Sequence, residues 1–168
     1  KYKDNLMNAY DNSIRYTDNF LARIIHLLKQ QQVDASMLYT SDHGEDIFDD
    51  GRHLFLHASP VPSYYQLHVP LLLWTSDSYR EEYPGIEKAA SMNRQKNISS
   101  SISFFQTMME LAGIETPYRN DSLSVTSPLY TEKSRVYLND HNEPHSLDDI
   151  GMRKEDFEML KKRGIDAQ

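Results

Sequence analysis

Ser36-Met37-Leu38-Tyr39-Thr40-Ser41-Asp42-His43-Gly44-Glu45 is the stretch on which the fold turns. Its first half is a short apolar run that reads as a buried strand over residues 36–41. Its second half breaks into a polar turn. In open α/β sheets, ligands bind outside the carboxyl ends of strands. A neutral imidazole and an ionised carboxylate both bind a borderline metal such as Zn²⁺. Gly44 lets the backbone turn away sharply and leaves room for a ligand. Adjacent side chains on an extended strand point to opposite faces, so Asp42 and His43 reach one ion only if the chain turns here. Spacing alone leaves two readings open: a metal or catalytic pair, or a capping Asp beside a surface His at a strand-to-loop junction.

Upstream, residues 4–32 carry Met7, Tyr10, Ile14, Leu21, Ile24, Ile25 and Leu28 at three- and four-residue steps, with Thr17 in the one gap. That period predicts one long amphipathic helix, about 40 Å in length and suited to crossing a broad sheet. Downstream, residues 45–51 form an acidic loop, and His53 to His57 a briefly ordered stretch before Pro60 and Pro62. Val69 to Thr75 is apolar on both alternating faces, which predicts a central, parallel strand, with Pro70 tolerable only near its start. Residues 76–97 are polar, with Pro84-Gly85 as a turn and helical parts within 87–95. Ser99 to Gly113 reads as a second helix, residues 115–132 as a loop, Arg135 to Leu138 as a short strand, and Lys154 to Arg163 as a last helix stopped by Gly164. The order helix, strand, long loop, strand, helix, strand, helix is α/β. Three short strands are a thin sheet for so long a helix, so further strands are expected in a segment preceding Lys1.

The chain has 168 residues, one domain's worth, and a formal net charge of −7. That charge argues against a nucleic-acid partner, which needs a basic stripe. Val69 to Trp74 is the longest apolar run, far short of a membrane span. With no cysteine, disulfides and thiolate ligands are excluded, and a metal site must be built from His, Asp and Glu. Its start inside a helical pattern, without Met, reads as a trimmed piece of a longer protein.

His57 lies in the loop after the metal-type turn, where it can return over Asp42 and His43 to hold a phosphate or sulfate oxygen or a second metal. The competing reading is a hydrogen-bonded loop histidine. Glu45 is a candidate for orienting an imidazole, or a solvated acid. His53 is a weaker candidate. His68, directly before a strand, is expected to make a structural hydrogen bond. The acids Glu45, Asp46, Asp49 and Asp50 resemble a calcium loop in charge only; their spacing does not fit the EF-hand pattern. Two adjacent ligands are fewer than the three that a catalytic zinc needs, and neither Thr40, Ser41 nor Ser59 has a base at telling spacing.

Taken together, Ser41-Asp42-His43-Gly44-Glu45, Leu56-His57-Ala58-Ser59-Pro60 and His68-Val69-Pro70 resemble the alkaline phosphatase/sulfatase superfamily. The closest branch is the lipid A phosphoethanolamine transferases, whose helix before the metal strand is similar to Asn8-Ala9-Tyr10-Asp11-Asn12-Ser13-Ile14. The resemblance covers roughly residues 5–75 in motif detail. It implies that residues 1–168 are the C-terminal part of an alkaline-phosphatase-like α/β/α sandwich with a mostly parallel central sheet, lacking the N-terminal half and a membrane domain. It implies zinc held by Asp42 and His43 together with a threonine nucleophile and an acid upstream of Lys1, so that no catalytic nucleophile lies in this chain. His57 matches the histidine that contacts the phosphoryl group, although Ala58 replaces the family's glycine. The implied reaction moves phosphoethanolamine from a phospholipid to a lipid A or glycan acceptor through a covalent threonine intermediate, at the periplasmic face of the bacterial inner membrane. The fragment alone is then inactive. A sulfatase or phosphoglycerol transferase of the same superfamily, or a non-catalytic binding module, are the alternatives, and the upstream nucleophile separates them.

Overall fold

The computed structural model describes residues 2–57, 59, 61–138, 141, 143–165 and 167. Lys1, Ala58 and Pro60, on which parts of the sequence reading fall, lie outside them. Helix α1, Tyr2–Gln31, ends at Gln32, whose φ of 53° turns the chain. Its half-buried residues are Tyr10, Thr17, Leu21, Ile24, Ile25 and Leu28, which is the predicted stripe without Met7 and Ile14. No residue of α1 is fully buried. Leu6, Phe20 and Leu27, fourteen and seven residues apart, form a second apolar line that is exposed.

Strand β1, Ser36–Thr40, leads into the Asp42-His43-Gly44 turn. It pairs with β4, Leu71–Thr75, and the pairing is antiparallel: Ser36 faces Thr75 and Thr40 faces Leu71. The parallel, central strand predicted from Val69 to Thr75 is therefore corrected. The reason lies in the connection. A parallel pair needs a crossover that carries the chain back along the sheet, usually through a helix. The described residues of 41–70 hold β2 (Asp46–Ile47), β3 (Phe55–Leu56) and the four-residue helix α2 (Tyr64–Leu67) and no element longer than that helix, so the chain stays at one end of β1 and returns as β4. Leu72 is exposed, and a run apolar on both faces misled the periodicity argument. Pro70 falls just before β4, where no ladder hydrogen bond is lost.

Helix α3, Asp77–Glu82, follows β4 directly, and α4 spans Pro84–Asn93. Pro84-Gly85 is thus a helix start rather than a turn, with proline in the first turn where its missing N–H costs nothing. Helix α5, Ser100–Leu111, is closed by Gly113 at φ 63°. The loop after it is folded back by buried polar groups: Asn93 Nδ2 donates to the carbonyls of Val125 and Ser127, and Thr107 Oγ1 accepts from Val125 N. Strands β5 (Tyr137–Leu138) and β6 (Pro144–His145) form a small antiparallel pair, and α6, Lys154–Lys162, ends at Gly164 with φ 70°. All three ladders among the described residues are antiparallel, in a mixed helix-and-strand chain of the α/β class.

Two contacts place this frame around the turn. Tyr64, Leu147, Met152 and Leu160 form a buried apolar cluster that seats α6 on α2. At the other end of the sheet, Ser76 Oγ accepts both the Ala35 N–H (3.0 Å) and the Tyr79 N–H (3.2 Å), tying the start of β1 to the start of α3. Ser76→Ala leaves two buried donors short of an acceptor. It is expected to cost about 1–2 kcal/mol, read as a lower denaturant midpoint with an unchanged slope.

Candidate metal centre

The site is built by the chain leaving β1, crossing a two-residue hairpin and coming back. Gly44 N donates to Gln66 O at 2.8 Å, seating the turn on α2. A Cβ on Gly44 would lie 2.0 Å from the Tyr65 carbonyl oxygen. The glycine is required by this close approach. Its φ is not positive, so the sharp-turn role expected of it is replaced by a steric one.

Beside that contact, His43 Nδ1 lies 2.9 Å from Gly44 O. The N–H that donates there leaves Nε2 as the lone-pair nitrogen. Nε2 is 3.9 Å from Asp42 Oδ2. Asp42 is 88% exposed at its side chain, and the His43 backbone N–H, at 3.0 Å from Oδ1, holds its carboxyl below the usual carboxylate range. It is an anion at neutral pH.

His57 comes back over the turn. Its ring centroid is 4.0 Å from that of His43, and its Nδ1–H donates to Glu45 Oε1 at 2.9 Å. Glu45 Oε1 is also 3.9 Å from His43 Nδ1. Glu45 Oε2 is buried with no hydrogen-bond partner among the described residues. A buried carboxylate oxygen left unpaired is costly, and a cation is one way to satisfy it. Ligand atoms of His43, Glu45 and His57 lie within 4.8 Å of one another. The donor types, imidazole and carboxylate, fit a borderline divalent cation.

The hairpin that carries His57 is short. Asp46 pairs with Leu56 and Ile47 with Phe55, and Phe48 N donates to Leu54 O beyond them. Phe48, His53 and Leu56 have φ of 58°, 56° and 61°, each costing on the order of 1 kcal/mol or more for a residue with a Cβ. Side chains hold it instead. Buried Asp46 accepts from Ser63 Oγ at 2.7 Å and from Gln66 Nε2. Asp49 accepts from Ile47 N. Asp50 pairs with Arg52, whose hydrogen bonds hold its carboxyl low. The acidic loop is thus tied into the structure residue by residue. From α1, Lys3 Nζ donates to Phe48 O. Burial, then the Glu45 and Asp49 charges, pushes the Tyr10 phenol up.

The structure therefore gathers Asp42, His43, Glu45 and His57 and leaves out the other two candidate histidines, His53 and His68. His68 caps α2 and shares a hydrogen bond of 2.7 Å between its Nδ1 and Tyr64 Oη, and burial, with the Arg163 and Arg135 charges, lowers its pKa. His53 sits exposed in the hairpin turn. Sequence reasoning missed Ser63, Gln66, Arg52 and Asp156. A signal existed for the first two: Ser63 followed by Gln66 three residues on fits the capping-box pattern that opens a helix. None existed for the pair Arg52–Asp156, 104 residues apart.

Comparison with known proteins adds to this geometry. The Sulfatase family model matches residues 1–114. The chain is 35% identical over 120 residues to phosphoethanolamine transferase EptA of Escherichia coli K12, covering 69% of this chain and 22% of that protein. It is 28% identical over 120 residues to the Kdo(2)-lipid A phosphoethanolamine 7''-transferase of the same strain, covering 68% and 20%. The chain thus spans about a fifth of the length of these curated relatives. In three dimensions it is similar to the C-terminal periplasmic domain of EptC from Escherichia coli, with a TM-score of 0.68 at 27% identity, over 76% of this chain and 35% of that one. The same domain in complex with Zn gives 0.64 at 25% identity, over 83% and 39%.

Gly44→Ala is expected to push the turn off α2, because a backbone carbonyl cannot yield as a side-chain tip does. The loss is at least about 2 kcal/mol of stability, measured by chemical denaturation. It should exceed that of an alanine placed at Gly51, where a Cβ meets nothing within 4 Å.

Proposed function

The chain belongs to the sulfatase family, and from that premise we propose that residues 1–168 are the C-terminal part of the catalytic domain of a metal-dependent phosphoethanolamine transferase. The observation that carries this reading is the convergence of Asp42, His43, Glu45 and His57 at the end of β1. The named relatives are phosphoethanolamine transferases, which favours transfer over sulfate hydrolysis. The exposed second apolar line of α1 supports further chain packing there.

In this reading Asp42 and His43 Nε2 hold a zinc ion jointly with residues outside the chain. When bound, zinc supplies Lewis-acid polarisation and favours ionisation of a hydroxyl nucleophile. The His43 Nδ1–H bond to Gly44 O keeps Nε2 aimed outward. Glu45 Oε1, accepting the His57 Nδ1–H, orients the ring so that Nε2 faces the phosphoryl oxygens, and it is the doubly protonated ring that donates Nε2–H to them and stabilises the charge that builds there. The donor is a phospholipid, the acceptor a lipid A or glycan phosphate, and the transferred group passes through a covalent threonine. The place is the periplasmic face of the bacterial inner membrane. No helix among the described residues is long and apolar enough to cross a membrane.

In the intact transferase, Asp42→Ala or His43→Ala should abolish transfer from phosphatidylethanolamine, and His57→Ala should lower kcat by about 10²-fold or more; unchanged rates would remove these residues from the site. The 168-residue chain by itself should bind zinc weakly and turn over nothing. Tight stoichiometric binding by calorimetry that survives Asp42→Ala would contradict the assignment of that carboxylate.

A further inference from the structure

We propose that Asp156, acting through Arg52, is a positioning residue for the His57 imidazole, a role that rests on the transferase reading and extends its site to the last helix. The Arg52 guanidinium is shared by two carboxylates. Nη1 donates to Asp156 Oδ2 at 2.6 Å and Nη2 to Asp156 Oδ1 at 2.8 Å, a bidentate fork. Nε and Nη2 donate to Asp50. The Arg52 side chain is 14% exposed and that of Asp156 is 1% exposed. Bidentate pairing of a planar guanidinium fixes orientation as well as distance.

What Asp156 reaches is as telling as how. Its Oδ1 also accepts the Tyr64 N–H at 2.9 Å, at the start of α2. Helix α2 in turn holds the Gly44 turn through Gln66 O, and the hairpin through Ser63 and Gln66 on Asp46. One buried carboxylate on α6 therefore touches both the support under His43 and, at Arg52, the hairpin loop that leads through β3 to His57. The hairpin between them has two ladder pairs and three left-handed residues with side chains. Such a segment keeps its shape only through outside ties: Lys3 of α1 holds the loop at Phe48 O, and the Arg52 fork holds it to α6. Asp156 also lies beyond residues 1–114, the span matched by the family model.

The competing account is that Asp156 only helps dock α6. The two separate in a variant that removes both charges without stranding either one. In Arg52→Met/Asp156→Asn, the asparagine Oδ1 still accepts from Tyr64 N, and Asp50 is open enough to be solvated. We expect this protein to melt within a few degrees of the parent chain. Its His57 side-chain ¹⁵N signals, however, should move towards those of a free imidazole, and amide exchange over residues 46–57 should speed up at least tenfold while α5 is unchanged. In the intact transferase kcat should fall at least tenfold with KM little altered. His57 signals and exchange rates identical to the parent's, in a folded double variant, overturn the proposal. Should the double variant fail to melt cooperatively, Arg52→Lys decides, because lysine keeps the charge and loses the fork: shifted His57 signals support the proposal and unshifted ones overturn it. The His57 signals need no turnover, so an inactive wild-type transferase would defeat the functional reading and leave this test standing.

Discussion

The contact between Gly44 and α2 is the constraint on which the rest depends. The chain leaves β1 with Asp42 and His43, and within one residue its backbone lies against the Tyr65–Gln66 segment with no space for a side chain. That contact sets where His43 stands, and it sets where the hairpin starts. Because the connection carries no crossover helix, it also sets the direction in which β4 must return beside β1. A metal-type pair, an antiparallel sheet and a short strained hairpin follow from one close approach.

The electrostatics of the site are arranged in two tiers. The outer tier is Asp42, exposed and kept ionised by a backbone N–H, beside the free nitrogen of His43. The inner tier is Glu45, which spends one oxygen on His57 and keeps the other buried without a hydrogen-bond partner among the described residues. Of the neighbouring acids, Asp50 is neutralised by its ion pair with Arg52, whereas Asp46 and Asp49 are held by neutral donors and keep their charge, and the Asp49 charge is felt at Tyr10. The site is therefore negative around Asp42 and Glu45 as well as at them, which favours a cation.

Much of this was legible in the residues themselves. The stripe of α1, the strand before Asp42, the helix after Ser99 and the Gly164 stop follow from periodicity and capping, which are local. Pairing direction was not legible, since a run such as Leu71–Trp74 is apolar on both faces whether its partner runs with it or against it. Helix α2 left a capping-box trace at Ser63 and Gln66. The fork between Arg52 and Asp156 left none: it joins residues whose sequence neighbourhoods are an acidic loop and an ordinary charged helix start. The resemblance to phosphoethanolamine transferases likewise rests on the early motifs, whereas the ties that hold those motifs in place come partly from the last helix.

The most direct measurement of the central claim is anomalous diffraction at the zinc edge from crystals of the intact catalytic domain carrying this chain. The account predicts one strong peak within bonding distance of both the Asp42 carboxylate and His43 Nε2, about 2.0–2.2 Å from each, with His57 still on Glu45. A peak seated on other histidines, such as His68, with none at Asp42 and His43, would contradict it.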